Sequence, residues 1–181
     1  MRHSAEKRAS FGQIKVTRLP GAKSLGRLLA GGLRLTCALG RQGVSHRKRE
    51  GDSATPAGRF RLQRVLYRAD RGPRPQTLLP RGRLRRGEGW CDDPGSGRYN
   101  CPVRLPFRGG HEAMWRDDRL YDVVIVLDHN VRPCRRGYGS AVFLHIAQPD
   151  LAPTAGCVAV SAVDMRRLLP RLSGRTVLMI G

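Results

Sequence analysis

The chain has 181 residues, 40% of them hydrophobic, which is enough for one domain with a well-filled core and excludes a disordered chain. Its formal net charge of +20 attracts polyanions such as nucleic acid, anionic lipid or an acidic wall polymer. No recognised nucleic-acid-binding module accompanies that charge, so the expected attraction is nonspecific.

The charge is uneven. Residues 1–86 hold 22 Lys and Arg against 4 Asp and Glu, whereas residues 87–181 hold 12 against 10. The 22 Gly and 12 Pro punctuate the chain often, which favours many short elements and a β-rich fold over a helical bundle. Residues 1–12 read as a basic tail and 13–181 as one domain. Gln13–Leu19 alternates apolar and polar residues, the pattern of a half-buried strand. Leu33–Leu39 alternates too, after the Gly31-Gly32 turn, and reads as the next strand of a meander. Thr55-Pro56-Ala57-Gly58 is a turn, and Phe60–Leu66 is a strand. Residues 69–86 read as a long surface loop with an irregular strand near Thr77–Leu79. Another loop follows, and His111–Arg116 reads as one helical turn. Tyr121–Leu127 is the strongest apolar run and predicts a buried central strand. Val142–Ile146 predicts a second, and Cys157–Val160 a short third. Ser161 with Asp164 three residues on predicts a helix N-terminus. That helix runs through Met165–Leu172, and Thr176–Ile180 is a last strand.

No run reaches the roughly 18 apolar residues of a membrane span, and the N-terminus lacks the apolar stretch of a secretory signal. The five cysteines are Cys37, Cys91, Cys101, Cys134 and Cys157. No two form a CxxC pair, which argues against a zinc site.

The chemistry-bearing segment is Phe143–Ser161. His145 ends one buried strand, and Cys157 begins another after Gly156. Adjacent strands lie about 4.8 Å apart, so a returning loop brings an imidazole beside a sulfur. A histidine can take the thiol proton and hold a reactive thiolate. Gly156 permits close backbone approach, so amides around Cys157 can form an oxyanion hole. Thr154 adds a hydroxyl or shapes the turn. The alternative is a buried core cysteine and a structural histidine, the commoner fate of both residue types.

The segment resembles the signature of the L,D-transpeptidase catalytic domain (YkuD-type), in which a strand histidine is followed by Ser/Thr-x-Gly-Cys. His145 matches the histidine, and Thr154-Ala155-Gly156-Cys157 matches the second part. Thr55–Phe60 resembles the family's upstream Thr-Pro-x-Gly-x-Phe/Tyr segment. Arg49–Asp52, Gly89–Asp92, Tyr99-Asn100 and Val126–Asn130 are similar to segments of a short bacterial branch. The resemblance implies a mostly β fold, a curved sandwich or barrel with one or two short helices. It implies a cysteine acyltransferase in which Cys157 attacks a peptidoglycan stem tetrapeptide, releases the terminal D-residue and passes the acyl group to an amine. Water as acceptor makes the same site a carboxypeptidase, or a thiol hydrolase of stem peptides or wall-linked proteins. A binding module with a vestigial site is the reading from another class. No cofactor and no metal are implied, and a monomer is expected. Such chemistry belongs in the cell envelope or periplasm although no signal segment is visible; cytoplasmic muropeptide is the alternative substrate.

Three departures from the family pattern stand out, one being a loop from His145 to Cys157 shorter than in many members. Ala159 replaces the Arg that commonly anchors a substrate carboxylate, and Ala155 replaces a common His. Trp90, Tyr99, Asn100, His111 and Glu112 are the candidate pocket residues on loops; the alternative for Trp90 and Tyr99 is that they pack their loop onto the sheet. His129, between Asp128 and Asn130, reads as a turn. Cys91 and Cys101 could form a disulfide or stay reduced.

Overall fold

The computed structural model describes residues 9–181, so the greater part of the basic tail lies outside the described residues. In chain order the elements are β1 (Gln13–Leu19), β2 (Ala22–Ala30), β3 (Leu33–Ala38), β4 (Val44–Ser45), β5 (Thr55–Pro56), β6 (Gly58–Tyr67), β7 (Arg81–Arg83), β8 (Glu88–Cys91), β9 (Pro102–Arg104), β10 (His111–Ala113), β11 (Val123–Leu127), β12 (Phe143–Ile146), β13 (Val158–Val160), α1 (Ala162–Leu168), a 3-10 turn over Leu169–Arg171, and β14 (Val177–Ile180).

The main sheet runs β11-β12-β13-β3-β2-β1-β14-β6-β7, and β11 also pairs with β6. That last pairing closes the sheet into a barrel-like ring, which removes the exposed edges of its member strands. Among the described residues the protein is mostly β with a single short α-helix, as the sequence predicts. Inward positions such as Ile14, Val16, Leu28, Leu35, Ile125, Leu144, Val158 and Leu178 form the main core, and Met165 and Leu168 of α1 pack onto it. Ser161 caps α1: its hydroxyl accepts from the Asp164 N–H at 3.0 Å.

A second sheet, β10-β8-β9, covers the outer face of β11 and β12. Trp90, Met114, Tyr121, Val124, Val126, Phe143 and Cys157 form this second apolar cluster. Alternation along β12 therefore decides the site: Leu144 faces the barrel core, while Phe143 and His145 face the other way.

Four local expectations are corrected. Phe11, assigned to the tail, is buried in the core, and its carbonyl accepts from the Thr176 hydroxyl at 2.7 Å. His111–Arg116 begins as strand β10, pairing with β8, because a second sheet supplies the partner that one helical turn lacks. The strand expected near Thr77–Leu79 lies instead at Arg81–Arg83, parallel to β6. Residues 22–30, given no element from sequence, form β2. Its Leu25, Leu28 and Leu29 lack strict alternation, and at Gly26 a Cβ would sit 2.9 Å from Cys37 Sγ.

Candidate active site

Strands β12 and β13 are parallel, with Leu144 opposite Val158 and His145 opposite Ala159. One residue back, Cys157 lies beside Phe143, whose N–H donates to Cys157 Sγ at 3.3 Å. Cys157 and His145 are therefore diagonal neighbours on one face of the sheet. Both line an open cleft of about 420 Å³.

The turn before Cys157 is tied down from several sides. The Thr154 hydroxyl donates to the Cys157 carbonyl at 2.7 Å and accepts from the Gly156 N–H at 3.1 Å. The buried Thr55 hydroxyl donates to the same carbonyl at 3.3 Å and accepts from the Gly40 N–H at 2.7 Å. Gly156 has φ +145°, and a Cβ there would lie 2.9 Å from the Ala54 carbonyl oxygen. Thr154 thus shapes the turn, and the Gly156 N–H is spent within it.

Burial sets the electrostatics. The Cys157 thiol is pushed up to about 12 by desolvation, an effect that Glu112 reinforces. The thiol donates to the Ala141 carbonyl at 3.3 Å. Desolvation pushes the His145 imidazole down to about 4. The thiolate expected at neutral pH is therefore reversed: both partners rest neutral, because the same burial that shields them disfavours either charge. His145 Nδ1 lies 2.8 Å from the Ile146 carbonyl. A carbonyl only accepts, so Nδ1 carries the proton and Nε2 keeps its lone pair. The Tyr121 ring packs edge-on against the imidazole with centroids 5.1 Å apart, and its hydroxyl donates to Glu112.

Of the pocket residues read from sequence, Glu112 lines the cleft, while Trp90, Tyr99, Asn100 and His111 are not among its lining residues. Asn100 is buried with every polar position used. Its Oδ1 accepts from Trp90 Nε1 at 2.9 Å and from the Ala141 N–H at 3.1 Å; its Nδ2 donates to the His129 and Asn130 carbonyls at 3.1 and 2.9 Å. Asn100 and Trp90 thus hold the segment that accepts the thiol proton. Tyr99 donates its hydroxyl to Glu50, which also accepts from Ser140 at 2.8 Å. His111 is exposed on β10, 3.0 Å from the Gly109 carbonyl. His129 spans its loop with Nε2 3.0 Å from the Tyr138 carbonyl, in keeping with a turn. Cys91 and Cys101, like the other three cysteines, are free thiols.

Sequence reasoning missed Lys48, Glu50, Arg116, Ser140 and Ala141 as cleft residues. The Arg49–Asp52 resemblance was the signal nearest to Lys48 and Glu50. Nothing in the local pattern marks Ala141, whose φ of +48° only the structure reveals.

The family model of the L,D-transpeptidase catalytic domain (YkuD) matches residues 23–180. The chain belongs to that family. Family members act on peptidoglycan stem peptides and are typically associated with the cell envelope. No curated protein and no solved structure matches the chain. Among the described residues no helix is long and apolar enough to cross a membrane.

Proposed function

We propose that this protein is a cysteine L,D-transpeptidase in which Cys157 is the nucleophile and His145 its base. The observation that carries this reading is the diagonal placement of the two residues on one face of β12–β13, at the cleft, in a chain of this family.

The stem tetrapeptide enters with the carbonyl of its third residue over Cys157. His145 Nε2 takes the thiol proton as sulfur attacks, so charge separates only when the carbonyl can accept electrons. An S–C bond forms and the carbonyl becomes an oxyanion. The Gly156 N–H is held by Thr154, which leaves the Cys157 N–H as the donor for that oxyanion from this turn. On collapse the C–N bond breaks, the protonated His145 gives its proton to the leaving amine, and the terminal D-residue departs. An amine of a second stem then attacks the thioester, His145 accepts the amine's proton, and Cys157 leaves as the restored thiol. The envelope is the compartment where this substrate is cross-linked.

The deciding experiment incubates the protein with disaccharide-tetrapeptide and weighs the products. Cross-linked dimer supports the transferase, tripeptide alone identifies a hydrolase, and no product removes the enzyme reading. Cys157→Ala abolishes either product, and a carbapenem forms one covalent adduct that maps to Cys157.

A further inference from the structure

The mechanism above leaves one buried charge at the cleft unused. Lys48 lies between β4 and β5, lines the cleft, and has a side chain only 9% exposed. Burying an ammonium is costly unless it is partnered. Its Nζ has three N–H donors. One meets Asp52 and one the Arg49 carbonyl at 2.9 Å; no third acceptor is found among the described residues. Asp52 spreads its charge over Lys48, the Arg49 N–H at 2.7 Å and the Ala54 N–H at 2.9 Å. The carboxylate therefore steers the ammonium and leaves it capacity for another anion.

The backbone is shaped around this side chain. Gly139 has φ +93°, and a Cβ there would lie 2.9 Å from both Cγ and Cε of Lys48. A Cβ on Gly156 would lie 3.5 Å from Nζ. Two left-handed glycines thus form a slot that carries the ammonium to the residue before Cys157. Ala159, on the other side of the cysteine, contributes no charge to the cleft.

We propose that Lys48 binds the terminal carboxylate of the donor stem, the one borne by the D-residue that leaves; this rests on the transpeptidase reading. The spacing fits. That carboxylate is one residue beyond the attacked carbonyl, about 3.8 Å along the chain, and Lys48 Nζ sits beside the residue adjoining the nucleophile. The site then selects donors with a free carboxylate over extended or amidated ones. Among the described residues Arg116 is the other cation lining the cleft, but its guanidinium already faces Asp118 and Glu112.

The test is calorimetry on Cys157→Ala protein, titrated with the stem tetrapeptide acid and with its terminal carboxamide. The acid is expected to bind at least tenfold more tightly. Adding Lys48→Gln brings the two within twofold, and adding Arg116→Gln leaves the preference in place. Equal binding of acid and amide overturns the assignment, as does a preference that survives Lys48→Gln or disappears with Arg116→Gln. Only four lysines are present, Lys7, Lys15, Lys23 and Lys48, so lysine side-chain NMR provides a readout that keeps Lys48 intact. The Lys48 signal shifts with the acid and not with the amide; the same shift with both overturns the proposal. Should neither ligand bind and neither be turned over by the unsubstituted enzyme, the transpeptidase reading falls and takes this inference with it. Equal turnover of acid and amide removes the inference alone.

Discussion

The Cys157 thiol donates its hydrogen bond to the Ala141 carbonyl, at 3.3 Å. A proton shared with a carbonyl stays on sulfur, and burial pushes the thiol up to about 12. At pH 7 the thiol therefore stays protonated. Iodoacetamide is expected to label the exposed Cys134 well before Cys157 at pH 7, and Cys157 labelling keeps rising up to pH 11 without levelling off. Peptide mapping across pH 6–11 checks this. Rapid labelling of Cys157 at pH 6 would restore the ion pair that the sequence suggests.

His145 makes a stability prediction with a definite sign. Its folded value is near 4, below the unfolded value of about 6.5. Between these the unfolded chain binds a proton that the folded protein refuses. Stability is therefore full above about pH 6.5 and falls as pH drops toward 4, by about 3 kcal/mol. Urea unfolding at pH 7 and pH 4.5 measures it, and His145→Gln flattens the dependence in that window. Asp52 and Asp118, both held below the usual carboxylate range, lose their contribution lower down, as pH falls through their folded values. The acid limb of activity should likewise lie near pH 4. A limb at 6.5 would show that the imidazole is solvated.

The barrel strands were legible where a face alternates or a run is fully apolar: Gln13–Leu19, Phe60–Leu66 and Val142–Ile146 all fall on observed strands. Ala22–Ala30 was not, because its partners on both sides rather than its own pattern make it a strand. The candidate pair was legible because His145 and Cys157 lie close in sequence and each ends or begins an apolar run. Apart from Glu112, the cleft walls were not. Lys48, Arg116 and Ala141 come from three separate loops that meet at one cleft, and no local period encodes that. Trp90 and Asn100 were singled out as candidate pocket residues on a loop, yet burial makes them supports for the 139–141 segment. Sequence shows residue types on a loop but not which way the loop folds back.

Asn100 is the support whose loss should be felt furthest away. Its four hydrogen bonds are all internal, and Asn100→Ala leaves Trp90 Nε1, the Ala141 N–H and two carbonyls without a partner. Each unsatisfied buried group costs about 1–3 kcal/mol, offset where water enters. A net loss of about 3 kcal/mol in urea unfolding is expected. Because Ala141 holds a left-handed backbone, its carbonyl also shifts, and turnover should fall at least tenfold at a temperature where the variant is folded. Unchanged turnover in a folded variant would show that Ala141 is held by its other neighbours.

Gly156 provides the sharpest test of the turn that presents the nucleophile. At φ +145° an L side chain is strained by about 1–3 kcal/mol, and the new Cβ meets the Ala54 carbonyl oxygen at 2.9 Å. That oxygen cannot simply retreat. The next residue, Thr55, is fully buried and bonded to the Cys157 carbonyl, while the Ala54 N–H is held by Asp52. Gly156→Ala should therefore lose about 2–4 kcal/mol of stability and move the Cys157 N–H away from its oxyanion position, lowering turnover at least a hundredfold. Gly174→Ala is the matched control: a Cβ there meets nothing within 4 Å, so its stability should stay within about 0.5 kcal/mol. Thermal melts and turnover of the two variants decide the matter. A Gly156→Ala protein as stable and active as Gly174→Ala would mean that the turn yields without cost, and that the backbone around Cys157 is not what positions it.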